Sequence, residues 1–252
     1  MNEDIALGLY GVSLVYHEPG RETRAVEDLD LEVRRGEFVS IVGPSGCGKT
    51  SVLSLIAGLY EPSAGRVEVL GKTPLEARPR VGYMLQRDEL LEWRSIEKNV
   101  LLGLEIRRAA TPEARKKASE LIEKYGLGEF RRSYPAALSG GMRQRAALAR
   151  TLALEPELLL LDEPFSALDF QTRLVLEDEV RTAIKQGGYT AILVTHDISE
   201  AIAMSDRVCV FSGRPARLRK EFAVDMDGSA FGRRSKPEFA ELFNGIWEEL
   251  KV

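Results

Sequence analysis

Two stretches carry residues whose types and order could do chemistry on a phosphorylated ligand. The first, GPSGCGKTS, runs from Gly43 to Ser51 and sets Gly43, Gly46 and Gly48 around Lys49, Thr50 and Ser51. Glycine accepts backbone angles that other residues resist, so such a loop can turn successive N–H groups inward and make a concave nest for phosphate oxygens. The spacing G-x-x-x-x-G-K-[ST] follows the apolar run FVSIV. It precedes Val52, Leu55, Ile56 and Leu59, which stand at i, i+3, i+4 and i+7 as the packing face of a helix. The nest is therefore expected at a helix N-terminus, where the peptide dipoles also favour anions. Lys49 would reach β- and γ-phosphates and the Thr50 hydroxyl would face Mg2+, while Pro44, Ser45 and Ser51 complete the expected contacts. Cys47 falls inside the nest, where the amides favour a thiolate; a small buried side chain explains it equally well.

The second stretch, LLLLDEPF from Leu158 to Phe165, puts two acids directly after four leucines. In a parallel sheet the ligand lies beyond the carboxyl ends of the strands, so a buried run ending in Asp162 and Glu163 would aim both carboxylates at the phosphate loop. Asp162 is expected to hold Mg2+. Glu163, one residue farther on, would accept a proton from an attacking water.

The elements that must position these groups can be read from hydrophobic patterning. FVSIVG, RVEVLG, VGYML, ELLLLD, TAILVT and RVCVFS are short apolar runs that alternate with helical patterns, which predicts an α/β fold with a largely parallel sheet. Leu29, Leu31 and Val33 alternate with charges in LDLEVRRGEF, the pattern of a half-exposed antiparallel strand pair beside that core. Residues 87–154 hold three successive helical stretches and no strand, which predicts a helical subdomain inserted between core segments 1–86 and 155–211. Residues 212–252 form a short extension ending in a helix, FAELFNGIWEELK. At 252 residues and 44% hydrophobic, the chain can bury one substantial core. No run of eighteen or more apolar residues occurs, and MNEDIALGLY lacks the basic and apolar segments of a secretory signal, so neither a membrane span nor export is expected. Two cysteines argue for a reducing compartment, and a net charge of -4 gives no basic footprint for nucleic acid.

A third stretch, LSGGMRQR from Leu138 to Arg145, decides among nucleotide-handling folds. Ser139 is a good helix N-cap, Gly140 and Gly141 free the next amides, and Met142, Ala146, Ala149 and Ala153 mark one helix face. With this stretch included, the sequence resembles the ATPase subunits of the ATP-binding cassette (ABC) family along nearly its whole length. The resemblance implies a P-loop NTPase with a RecA-like core, an antiparallel β subdomain and an inserted helical subdomain. It also implies that Ser139, Gly140 and Gly141 bind the γ-phosphate held by a second subunit, so that two chains close head to tail around ATP. Gln86 in YMLQRD would touch Mg2+ and the attacking water, His196 in VTHD would bind the γ-phosphate, and Tyr16 would stack on adenine. Asp169 in SALD would shape the dimer contact.

Within that family, LLEWRSIEKNV with Trp93, and FSALDFQTR, look like importer ATPases serving nitrate, sulfonate, taurine and thiamine-precursor substrates. Leu85 and Glu92 depart from the subgroup's usual Phe and Pro. The resemblance implies a homodimer on the cytoplasmic face of the cell membrane, attached to transmembrane permease subunits fed by a periplasmic or lipid-anchored solute-binding protein. The alternative is a soluble ABC ATPase in another process, such as iron-sulfur cluster assembly. A kinase or switch protein with the same phosphate loop would leave LSGGMRQR unexplained.

Overall fold

The computed structural model describes residues 4–251. The chain begins with two long strands, β1 (Ile5–Glu18) and β2 (Arg21–Arg34), then β3 (Phe38–Val42), α1 (Lys49–Ile56), β4 (Ala64–Val69), the single turn α2 (Pro74–Ala77) and β5 (Val81–Met84). Helices alone follow: α3 (Ile96–Val100), α4 (Leu102–Ile106), α5 (Pro112–Lys124) and α6 (Gly140–Leu152). The chain then alternates through β6 (Leu158–Asp162), α7 (Phe170–Gly187), β7 (Thr190–Thr195), α8 (Ile198–Met204) and β8 (Arg207–Phe211). It closes with β9 (Leu218–Ala223), α9 (Ala230–Arg233) and α10 (Pro237–Leu250).

Two sheets result. The larger has the order β5-β6-β7-β3-β8-β9, with the first five strands parallel and β9 antiparallel at the edge. The smaller, β2-β1-β4, is antiparallel throughout. The apolar run RVEVLG thus belongs to the antiparallel sheet, not the parallel one. The partner of β2 is β1; past the turn at Gly36 the chain leaves for the other sheet as β3.

The four leucines of β6 show why that run is continuous. Leu158 and Leu160 pack with Leu9, Leu29, Val52 and Ile56, toward the antiparallel sheet and α1. Leu159 and Leu161 pack on the other face with Ala147, Leu176 and Val180, toward α6 and α7. Successive side chains alternate across a strand, so a strand covered on both sides has no polar position to offer. Complete burial of each leucine is worth about 1.5–3 kcal/mol, which anchors the acids that follow.

The helix after the phosphate loop is shorter than its periodicity predicts. Val52, Leu55 and Ile56 are buried, but Leu59 is 55% exposed. Gly58 has a φ of 67°, and the Leu59 N–H closes back on the Ser54 carbonyl at 2.9 Å, so the left-handed glycine ends α1 before the fourth position is reached.

Candidate functional site

All five parallel strands point their carboxyl ends at one edge, and each delivers residues there. The Gly43–Thr50 loop follows β3, Gln86 lies two residues past β5, Glu163 follows β6, His196 follows β7 and Arg214 lies three residues past β8. They surround a cleft of about 540 Å³, lined also by Tyr16, Ser45, Gly46, Gly48 and Ser51. The antiparallel sheet supplies one wall through Tyr16, Thr23 and Ala25.

The loop keeps its shape through its glycines and through Lys49. Gly48 has a φ of 124°, and a Cβ there would lie 2.4 Å from the Ala25 carbonyl oxygen. Lys49 opens α1 and is 6% exposed. Its Nζ donates to the Gly43 carbonyl at 2.8 Å and the Pro44 carbonyl at 3.0 Å, and lies 3.9 Å from Cys47 Sγ. Cys47 itself is buried under the loop.

Behind the loop, Asp162 ends β6 almost fully buried. Burial pushes its carboxyl above the ordinary range; the Thr50 hydroxyl and the Lys49 ammonium pull it down, and the neighbouring Glu163 pushes it up. Its Oδ2 has no hydrogen-bond partner. A buried carboxylate oxygen without a donor, beside a threonine hydroxyl and facing the phosphate loop, fits a hard divalent cation. Among the described residues no group of three or more His, Cys, Asp or Glu is arranged to hold a metal ion.

Glu163 is the centre of the polar contacts in the cleft. Gln86 Nε2 donates to its Oε2 at 3.2 Å, and His196 Nδ1 lies 3.3 Å from its Oε1. Its backbone sits in the left-handed region, φ 47°, which a side chain with a Cβ adopts only under strain. Four hydrogen bonds fix it there. Its N–H donates to the Val194 carbonyl at 2.8 Å, and its carbonyl accepts from the Ser166 N–H at 3.3 Å, the Ser166 hydroxyl at 3.0 Å and Gln144 Nε2 at 3.4 Å.

Tyr16 lines the cleft with its ring edge-on to Tyr60, centroids 5.4 Å apart, and its hydroxyl donates to Ser51 Oγ at 3.1 Å. Ser139 caps α6, its Oγ accepting from the Met142 N–H at 3.3 Å. Neither Ser139 nor the two glycines after it line the cleft. Asp169 caps α7 in the same way, through the Thr172 N–H at 3.1 Å.

The ABC transporter family model matches residues 26–166. The chain belongs to this family. An ABC transporter ATP-binding protein of Bacillus subtilis, itself uncharacterised, is 51% identical over 95% of this chain and 93% of its own length. The aliphatic sulfonates import ATP-binding protein of Bacillus licheniformis is 38% identical over 92% of this chain and 89% of its own. The taurine import ATP-binding protein of Pseudomonas aeruginosa is 37% identical over 95% and 93%. Among solved structures, a dimeric ATP-binding cassette in a post-hydrolysis state with ADP and phosphate superimposes with a TM-score of 0.79 at 31% identity, over 88% of this chain and all of that one. The chain is thus an ATP-binding, ATP-hydrolysing subunit with the ABC cassette fold.

Thr23, Ala25 and Arg214 line the cleft without having been singled out in the sequence. The rule that ligands gather beyond parallel strand ends, applied to β8 as it was to β6 and β7, would have found Arg214. Nothing in an alternating strand marks Thr23 and Ala25 as facing a ligand.

Proposed function

We propose that the chain drives an importer: ATP binding closes two copies head to tail, hydrolysis reopens them, and the cycle moves a small solute through a membrane permease. The observation that carries this reading is the meeting of Glu163, His196 and Gln86 with the phosphate loop in one cleft that Ser139–Gly141 do not enter. An N-capped helix start with two free glycines and no local anion suits the phosphate of a second copy.

In this reading the loop amides from Ser45 to Ser51 and the Lys49 ammonium hold the β- and γ-phosphates. Gly43 and Pro44 supply the carbonyls that orient Lys49, and Tyr16 offers its ring to adenine. Thr50, Asp162 and Gln86 would hold Mg2+, which when bound neutralises phosphate charge. Glu163 accepts the proton of the attacking water; His196 orients that water and the γ-phosphate. The strained, four-point attachment of Glu163 keeps its carboxylate in the productive position at no further ordering cost when ATP arrives.

Residues 87–154 form the helical subdomain that presents Ser139, and 212–252 the extension that follows the core. The sulfonate and taurine importers among the relatives support a small solute such as a sulfonate or taurine, with nitrate or a thiamine precursor as the alternatives. A permease partner places the chain on the cytoplasmic face of the membrane, with a solute-binding protein on the far side. No helix among the described residues is long and apolar enough to cross a membrane itself.

Glu163→Gln tests the hydrolytic assignment, because it keeps the shape and the Gln86 contact and removes the base. The variant should bind ATP, accumulate as a dimer by analytical ultracentrifugation and release phosphate at least roughly 100-fold more slowly. Multiple turnover at the wild-type rate would remove Glu163 from this role.

A further inference from the structure

A buried charged seam that the hydrolytic reading leaves unused runs from the catalytic edge to the C-terminal segment. Behind His196 and Glu163 lies a polar cavity of about 40 Å³, walled by Ser166, Arg173, Thr195, Asp197 and Glu200 as well. Glu200 is in the first turn of α8 and almost fully buried, and its Oε1 has no partner. Next to it, on α7, Glu177 is fully buried with Oε1 also unpaired. The Oε2 of Glu177 accepts from Arg234 Nη2 at 2.6 Å.

Helix α8 is held at both ends. At its start, Asp197 Oδ1 accepts from the N–H groups of Ser199 and Glu200 at 2.8 and 3.2 Å, and its Oδ2 pairs with Arg173 Nη1 at 3.4 Å. The Asp197 N–H donates to Thr195 Oγ1 at 3.0 Å, so the backbone on either side of His196 is fixed by the same cap. At its end, the carbonyls of Ile202, Ala203 and Ser205 accept from Arg233 Nη1 at 3.4, 3.4 and 2.6 Å, and Ala203 accepts from Arg181 Nε at 3.2 Å. Arg233 and Arg234 belong to the α9 turn and the residue after it. They bond the extension to the elements behind His196, alongside the packing of α10 on α8.

We propose that Arg234 is a positioning residue for hydrolysis: its guanidinium compensates the buried Glu177 carboxylate so that α8 can pack against α7 and hold His196 beside Glu163. A carboxylate with no exposure and no cation is far costlier than one paired with a guanidinium, and the cheapest escape is for the segment covering it to move. That segment includes α8, which packs on α7 and whose first turn brings Asp197 and Glu200 against Glu177. The groups facing Glu177 are Arg234 after α9, Arg173 on α7 itself, and Asp197 and Glu200 at the start of α8. Arg234 is the cation bonded to it. Burial pushes the Glu177 carboxyl upward, and Arg234 is the first of the groups that oppose this.

The inference rests on the reading of Glu163 and His196 as hydrolytic groups, and its test separates the two. Arg234→Gln keeps a hydrogen-bond donor and removes the charge. In the full-length protein, kcat at alkaline pH should fall roughly tenfold, within the reach of substitutions remote from a ligand, while KM for ATP and nucleotide affinity stay as in wild type. The ratio of variant to wild-type kcat should be closest to one at the acid end of the activity range and shrink as pH rises, because without Arg234 the buried Glu177 is tolerated only when protonated. Adding Glu177→Gln should restore kcat and remove that pH dependence. If Arg234→Gln does not fold, the double variant Arg234→Gln/Glu177→Gln should fold and turn over as wild type; a double variant that also fails to fold overturns the proposal. A wild-type pH profile in Arg234→Gln overturns the proposal, as does a loss of ATP affinity in step with thermal stability that Glu177→Gln does not repair. Full turnover by Glu163→Gln would instead overturn the hydrolytic reading, whatever Arg234 does.

Discussion

Gly48→Ala is the sharpest test of the claim that backbone geometry makes the phosphate cradle. Gly48 stands at a φ of 124°, where a residue with a Cβ is strained by about 1–3 kcal/mol. The added methyl would lie 2.4 Å from the Ala25 carbonyl oxygen and 3.0 Å from Ala216 Cβ. That oxygen cannot retreat freely, since it accepts the Ala216 N–H at 2.9 Å. The loop itself must therefore shift by about 1 Å to regain ordinary contact, which pulls its amides off the phosphate. Charge-assisted hydrogen bonds are worth about 1.5–3 kcal/mol each, so losing two weakens ATP binding by at least about 3 kcal/mol, on the order of 100-fold. Isothermal titration calorimetry with ATP measures this directly. Gly213→Ala is the control: it lies at the rim beside Arg214, at a backbone angle open to alanine, with nothing within 4 Å of the new methyl, and should bind as wild type. Gly48→Ala with affinity within threefold of wild type would refute the reasoning that the loop is held against Ala25.

Lys49→Ala removes the ammonium that now bonds Gly43 and Pro44, and should weaken ATP binding by about 1.5–3 kcal/mol, roughly 10- to 150-fold, in the same calorimetric assay. Glu200→Gln should stabilise the protein, and more so at alkaline pH, because burial first, then Glu177 and Asp197, raise the Glu200 carboxyl well above its ordinary range. A raised folded-state pKa means that the stability it permits is complete below the unfolded value and is lost as pH rises toward the folded one. Thermal melts should therefore show a larger gain for Glu200→Gln near about pH 8 than near about pH 5; an equal gain at both would mean that Glu200 is not held protonated.

The parts legible in the sequence are those where burial and function share a segment. Strands covered on both faces read as unbroken apolar runs, and each run ends where a ligand is met, so Lys49, Gln86, Glu163 and His196 could be placed at one edge before any coordinates. The strand β1 was not legible as a strand because its buried positions, Leu7, Leu9, Val12 and Leu14, skip a step where the register shifts between Leu9 and Val12. Edge strand β9, LRKEFA, sets three consecutive charges at its centre and resembles a loop, which is how an exposed edge avoids pairing with another chain. Arg233 and Arg234 carry no signal in the sequence, because nothing local says that a helix end and a buried acid await them. Leu59 was misplaced for the converse reason, since periodicity alone does not register that Gly58 ends the helix.

The two kinds of proposed site residue, those for a phosphate held locally and those for a partner's, are joined by two neighbouring side chains of α6. Gln144 lies in α6 four residues after Gly140, and its Nε2 reaches the Glu163 carbonyl at 3.4 Å. Its neighbour Arg143 pairs with Asp88 and Glu92, just past Gln86, through contacts of 2.8–3.0 Å. Helix α6 thus touches both the strained backbone that aims Glu163 and the segment that carries Gln86. In the proposed dimer, a phosphate bound at Ser139 would act on the helix whose next turn holds these contacts, which connects the partner's site to a Glu163 that is already held in place.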